Sequence, residues 1–170
     1  MDDREFIDIL KKSGCSQNVI NHILAVKDLS LKIADRVKIP LDRDLIRTGA
    51  FLHDIGRSRT HGIEHALVGA EIARKLGFDD RVIKIIERHI GAGISREEAR
   101  ELGLPEKDYL PQSPEEKIVA YADNLLNGDR VVSFEVSLEQ FRQSLGNDHP
   151  AIERYIALHR EIQEWMNHEE

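Results

Sequence analysis

The chain has 170 residues, enough for a single domain with its own core, and is 41% hydrophobic but only 5% aromatic, so aliphatic side chains must build that core. Its formal net charge of -7 argues against a protein that coats nucleic acid non-specifically. A small anionic substrate stays open, because local metals and arginines override a global field.

The opening residues, Met1-Asp2-Asp3-Arg4-Glu5, are charged and lack the apolar stretch of a signal peptide. No apolar run approaches the roughly 20 residues that span a bilayer. The expectation is a cytoplasmic protein with no membrane partner. A short helix is predicted from about Asp3 to Lys12, ending near Gly14. Cys15 is the only cysteine, which excludes an internal disulfide and a zinc site built from several thiolates. Ser16 is placed to cap a longer helix reaching about Val37, and Pro40 breaks the chain after it. A third helix, from Asp42 or Asp44, is predicted to end at His53-Asp54, with Gly56 as a left-handed terminator.

Arg57 to Thr60 reads as a polar loop before a fourth helix, about Gly62 to Leu76, closed by Gly77. Asp79 or Asp80 caps a fifth that ends around His89 and Ile90. Ser95-Arg96-Glu97-Glu98 has the form of a capping box for a short helix stopping at Gly103. Leu104 to Pro114 reads as loop. Ser113-Pro114-Glu115-Glu116 then supplies a cap, a first-turn proline and acidic residues for a helix carrying Asp123 and ending near Gly128. Val131 to Val136 is the one stretch with strand-like alternation. Two further helices are expected, about Leu138 to Leu145 and Pro150 to Met166. The pattern is all-α throughout residues 1–170, with about seven to nine helices and no linker or repeat.

Several of these helices point ionisable groups inward. His22 lies on the stripe Val19, His22, Val26, Leu29, Ile33. His53 follows Ile46, Gly49 and Ala50 on its face, and Asp54 stands about 100° further round the axis. Neighbouring side chains at a helix end can therefore enter one site from two directions. His65 leads into Val68, Ile72 and Leu76, and His89 follows Val82, Ile85 and Ile86. Asp123 follows Glu116 and Val119. Each taken alone has a bland reading: a hydrogen-bonded core histidine, a surface pair, a salt bridge. Together they are expensive to bury unless they hold a metal. Histidine with carboxylate suits Fe, Mn, Co, Ni or Zn, one ion or two, without selecting among them. His61 lies four residues before His65, and is either a further ligand or a proton donor facing the cleft. His149, His159 and His168 occupy a charged terminal segment and read as surface residues.

The ordered set His22, His53-Asp54, His65, His89 and Asp123 resembles the HD superfamily of metal-dependent phosphohydrolases, over about His22 to Leu126. The string His53-Asp54-Ile55-Gly56 is similar to its HDIG subgroup. The resemblance implies an HD-type helical bundle in which His22, His53, Asp54 and Asp123 hold one metal. It implies that His65 and His89 hold a second, with Asp54 bridging. The segment from His65 to His89 also resembles bacterial members that cleave dinucleoside polyphosphates. The Gly-Tyr-Pro signature of the cyclic-dinucleotide phosphodiesterases is absent; the corresponding region is His89-Ile90-Gly91-Ala92-Gly93-Ile94-Ser95.

The implied reaction is hydrolysis of a phosphoester or phosphoanhydride in a nucleotide or dinucleoside polyphosphate. Metal coordination lowers the pKa of a bound water and supplies hydroxide near neutral pH. Asp54 orients that hydroxide, and His61 protonates the leaving oxygen. Arg57, Arg59 and Arg88 bind non-reacting phosphates, Arg57 first because it adjoins the metal doublet. Two other classes stand beside this one: a dinuclear-iron HD-type oxygenase and a non-catalytic nucleotide-binding sensor. The helices after Asp123 are available either to cover the cleft or to form a homodimer; the pattern does not choose.

Overall fold

The computed structural model describes residues 1–167, and His168 lies outside them. Among the described residues the helices are α1 (Asp3–Ser13), α2 (Gln17–Arg36), α3 (Arg43–Leu52), α4 (His65–Lys75), α5 (Asp80–Glu87), α6 (Arg96–Glu101), α7 (Pro114–Asn124), α8 (Phe134–Leu145) and α9 (Pro150–Met166). A 3-10 turn, Ile55–Ser58, follows α3, and β1 (Leu126–Asn127) pairs antiparallel with β2 (Arg130–Val131) between α7 and α8. The architecture is an all-α bundle, and among the described residues no helix is long and apolar enough to cross a membrane.

The starts are written in side-chain oxygens. Asp2, Ser16, Asp42, Asp79, Ser95, Ser113 and Ser133 each accept a backbone N–H from the first turn they precede. Each such cap contributes about 1 kcal/mol. The boxes Ser95/Glu98 and Ser113/Glu116 are both closed in the two directions expected.

Three boundaries differ from expectation. α4 begins at His65, not Gly62, so His61 lies in an exposed loop rather than one turn below His65. α7 stops at Asn124, because Leu126 and Asn127 are taken into the hairpin. The alternating stretch at 131–136 contributes only Val131 to that hairpin, and α8 begins at Phe134 because Ser133 caps it. That early start brings Phe134 and Phe141 onto Tyr155, with ring centroids 5.0 and 4.3 Å apart.

α2 and α3 pack together and against α7, while α4 packs on α5 and on the 3-10 turn, and α3 also meets α5. Ile23, Ile46, Leu52, Ile55, Ile85, Ile86 and Ile118 are fully buried where these faces converge. Burying each contributes about 1.5–3 kcal/mol. Two close approaches are made by glycine. At Gly49 a Cβ would stand 2.5 Å from Ile85 Cδ1, across the α3–α5 contact. At Gly56 a Cβ would stand 1.9 Å from the His65 carbonyl oxygen and 2.7 Å from the Gly69 nitrogen. Gly56 is therefore not a left-handed terminator; its φ is not positive, and its role is to let the 3-10 turn lie directly against α4.

Candidate metal centre

The packing brings one histidine or carboxylate from each of six segments to a common point. His22 projects from the middle of α2, and His53 is the residue that ends α3. Asp54 precedes the 3-10 turn, His65 opens α4, His89 follows α5, and Asp123 sits in the last turn of α7. All six expected ligands meet. His61, Arg57, Arg59 and Arg88 are distributed differently, as set out below.

Local backbone aims each imidazole. His53 Nδ1 lies 2.6 Å from Ala50 O and His89 Nδ1 2.7 Å from Ile86 O. Those carbonyls lie in the last turns of α3 and α5, where no further helix supplies a partner. His65 Nδ1 lies 2.9 Å from Gly62 O, and His22 Nδ1 2.5 Å from Gly128 O, in the tip of the hairpin. A carbonyl oxygen only accepts, so each Nδ1 carries the proton. In the neutral ring each Nε2 then presents a lone pair, as a metal ligand requires.

The four Nε2 atoms converge on two carboxylates. His22 Nε2 is 2.9 Å from Asp123 Oδ1 and 3.4 Å from Asp54 Oδ2. His53 Nε2 is 3.5 Å from Asp123 Oδ1 and 3.7 Å from Asp54 Oδ2. On the other side of Asp54, Oδ1 is 3.1 Å from His65 Nε2 and 3.2 Å from His89 Nε2, and those two nitrogens are 3.1 Å apart. His22, His53 and Asp54 form one compact ligand group, and Asp54, His65 and His89 another; His53, His89 and Asp123 form a third that overlaps both.

The donor set fits a divalent metal. His53 Nε2 and Asp54 Oδ1 are buried polar atoms with no hydrogen-bond partner of acceptable geometry. Leaving such atoms unpaired is costly, and a cation between them removes the cost. The electrostatics point the same way. Burial opposes the charge on Asp54, yet the surrounding imidazoles of His53, His65 and His89 hold its carboxyl well below the usual range. Burial likewise opposes protonation of His53, but Asp54 and Asp123 pull it up to about 9. At His89 burial prevails and the pKa falls. The pocket thus favours positive charge among these six side chains.

A cleft opens on the ligands. Its walls include Asn18, His22, Arg57, His61 and Asp123 on one side and Gly62, Ile63, His65, His89 and Gly91 on the other. Arg57 Nε donates to Asp54 Oδ2 at 3.1 Å, and the side chain remains 32% exposed toward the cleft. His61 is exposed and borders both sides. Arg59 is exposed and does not line the cleft. Arg88 is turned away: its Nη1 bonds Glu116 Oε1 at 2.7 Å, and Glu116 also accepts the backbone N–H of Gln112 and of Ser113. His159 is half-buried rather than fully on the surface; its ring lies on Phe134 with centroids 3.7 Å apart and its Nδ1 is 2.6 Å from Tyr121 OH. His149 caps α9 through Ala151 N.

Sequence reasoning overlooked Gly128, whose carbonyl orients His22, and Asn124, whose side-chain Nδ2 donates to Gly91 O at 2.8 Å. The signal for Asn124 was its place directly after Asp123; for Gly128 there was only a glycine at a turn.

A helical bundle with buried His and Asp side chains converging at one cleft is the arrangement of an HD domain. The HD domain family profile matches residues 19–128, and the chain belongs to that family. It is 53% identical over 165 residues to the uncharacterized protein MJ0778 of Methanocaldococcus jannaschii, covering 95% of this chain and 97% of that one. It is 45% identical over 161 residues to a tRNA (cytidine(56)-2'-O)-methyltransferase of Picrophilus torridus, but spans only 46% of that longer protein. The HD domain of the Listeria monocytogenes phosphodiesterase PgpH, solved in complex with cyclic-di-AMP, has the same fold. The TM-score is 0.55 at 20% identity, covering 97% of each chain.

Proposed function

We propose that the chain hydrolyses a phosphoester or phosphoanhydride bond in a nucleotide-like substrate. The observation that carries this is the set of four imidazoles, each locked by a backbone carbonyl at Nδ1, whose Nε2 atoms surround two carboxylates. His22, His53, Asp54 and Asp123 would hold one ion, and Asp54, His65 and His89 a second. A divalent ion bound there acidifies water and stabilises charge on phosphoryl oxygens. Asp54 is the shared carboxylate and fixes the direction of attack. Two carboxylates among neutral imidazoles carry two negative charges, so a pair of divalent cations leaves positive charge that suits a phosphate.

Arg57 has two tasks. Its Nε steadies Asp54, and its remaining guanidinium N–H groups face the cleft, where they match phosphate oxygens. His61, on the exposed rim shared by both sides of the cleft, is placed to give a proton to a leaving oxygen. Arg59 and Arg88 have no part in this scheme. The PgpH domain binds a cyclic dinucleotide, which supports a nucleotide ligand for a chain with this fold. Methyl transfer is named for the longer Picrophilus protein as a whole, and its chemistry does not call for a His/Asp metal cluster.

The test is phosphate and nucleotide release from dinucleoside polyphosphates, nucleoside mono- to triphosphates, cyclic nucleotides and cyclic dinucleotides, with protein loaded separately with Mn, Fe, Co, Ni or Mg. Asp54→Ala is expected to lose turnover and metal together. Arg57→Ala is expected to raise KM by about ten-fold or more while retaining metal, as loss of a charge-assisted phosphate contact implies. Full turnover by Asp54→Ala would sink the proposal. Dioxygen uptake by the iron-loaded protein, without phosphate release, would place the chain among the oxygenases instead.

A further inference from the structure

Beside the metal cleft lies a second hollow, of about 450 Å³, between the loop after α5, α6 and α8. Ile63, Ile90 and Gly91 belong to the walls of both. Asn124, next to the ligand Asp123, belongs to the second hollow and to the His22 side of the cleft. The Asn124–Gly91 hydrogen bond joins the end of α7 to the segment just past His89. The two hollows therefore adjoin across a sill built from the residues that immediately follow two metal ligands.

Their chemistry is opposite. The cleft holds carboxylates, imidazoles and Arg57. The second hollow is mostly apolar, and among the described residues that line it there is no Lys or Arg. Glu98 at its edge is already neutralised by Arg154, at 2.6 and 3.0 Å. This is no place for a phosphate. Phe141 lines it, its ring stacked on that of Tyr155 with centroids 4.3 Å apart and planes 20° apart. Gly91, at φ +52°, lies beside the ring edge, where a Cβ would meet Phe141 at 3.7 Å, an ordinary contact. The half-buried carboxamide of Gln140 offers a donor and an acceptor together. Leu102 and Leu145, 49% and 44% exposed, form an apolar rim.

We propose that this hollow is the base subsite of the cleft, taking the neutral heterocycle of a purine nucleotide while its phosphate lies among the metal ligands and Arg57. An aromatic ring stacks a base, and a carboxamide pairs with the donor–acceptor edge of adenine. The proposal rests on the phosphohydrolase reading and narrows it to substrates that carry a purine. Simple sugar phosphates would leave the hollow unfilled.

The experiment measures binding, so it does not depend on turnover. Metal-loaded protein is titrated calorimetrically with AMP, CMP and ribose 5-phosphate, and adenosine is added to isotope-labelled protein while the Gln140 side-chain amide and Gly91 backbone amide are followed by NMR. Ser144→Trp, at an exposed rim position of α8, blocks the hollow, and Gln140→Ala removes the base-reading group; a thermal melt checks that both fold. AMP is expected to bind at least ten-fold more tightly than ribose 5-phosphate. Ser144→Trp should erase that difference without weakening ribose 5-phosphate, and Gln140→Ala should reduce the preference of AMP over CMP. Adenosine, which has no phosphate, should shift both resonances. Equal affinities for AMP and ribose 5-phosphate, with adenosine leaving the two amides unmoved, would overturn the subsite. If adenosine and AMP behave as expected but no phosphate is ever released, the subsite stands and the hydrolytic reading falls.

Discussion

Replacing Gly56 with Ala tests how the metal centre is built. The added methyl would sit 1.9 Å from the His65 carbonyl oxygen, whereas ordinary contact begins at about 3.4 Å. Both partners are backbone, so neither can rotate aside. The 3-10 turn must retreat from α4 by about 1.5 Å to restore contact distance. Asp54 lies two residues before the glycine, and His65 is the residue struck, so the same shift opens the 3.1 Å approach of Asp54 Oδ1 to His65 Nε2. Overpacking of this kind costs about 1–3 kcal/mol, and a backbone collision belongs at the upper end. For a chain of this size that lowers Tm by roughly 6–12 °C. Melts followed by circular dichroism, with and without EDTA, separate the two effects. The loss of Tm is expected in both conditions, because it arises from packing. Elemental analysis should show that the metal held by Asp54, His65 and His89 is depleted first. A Gly56→Ala protein that melts within about 2 °C of the parent and holds its full complement of metal would refute the argument that this glycine sets the spacing of the ligands.

Three other outcomes follow from the geometry. Adding a metal that the centre binds should raise Tm, by about 2.7 kcal/mol of stabilisation at a hundred times its Kd, and EDTA should reverse it; an unchanged melt across Mn, Fe, Co, Ni and Zn would contradict a cation-binding role for the six side chains. Arg88→Ala should destabilise by about 1–3 kcal/mol, since it leaves the buried Glu116 without its partner. Its affinity for phosphate ligands should be unaltered, and a selective loss of that affinity would return Arg88 to the substrate. Burial, with the charge of Asp54 adding to it, pushes the Cys15 thiol up to about 11. Alkylation at pH 8 should therefore run on the order of 100-fold slower in the native protein than in urea, recovering as pH rises toward 11; equal rates would show the thiol to be free.

The convergent cluster was legible because helical periodicity put His22, His65 and His89 among aliphatic neighbours, where an imidazole needs a reason to be. Helix starts were legible for a similarly local cause: Ser16, Ser95 and Ser113 act on N–H groups two or three residues away. Gly56 was seen but misread. Its clash partner is the carbonyl of His65, nine residues on, and no local rule announces that the two segments touch. Arg88 was misplaced for the same reason. Arg88 adjoins His89 in sequence, yet the end of α5 turns it to Glu116 on α7, while Arg57 reaches Asp54 within a single turn. Contacts inside one turn could be read from the chain; contacts between helices could not.

The hairpin between α7 and α8 looks like the most expendable part of the molecule. Its strands are two residues each, and Asn127, Gly128, Asp129 and Arg130 are exposed. Ordinarily such a tip is where a tag, a protease site or a fused domain does least harm. Yet the Gly128 carbonyl is what holds the His22 ring in orientation. An insertion at 128–129 would therefore be felt at the candidate metal centre, about as directly as a change in the helix that carries His22. Anyone joining this domain to another protein has safer ground at Gly77 or Gly103, where the glycine Cβ position faces open space and no ligand depends on the turn.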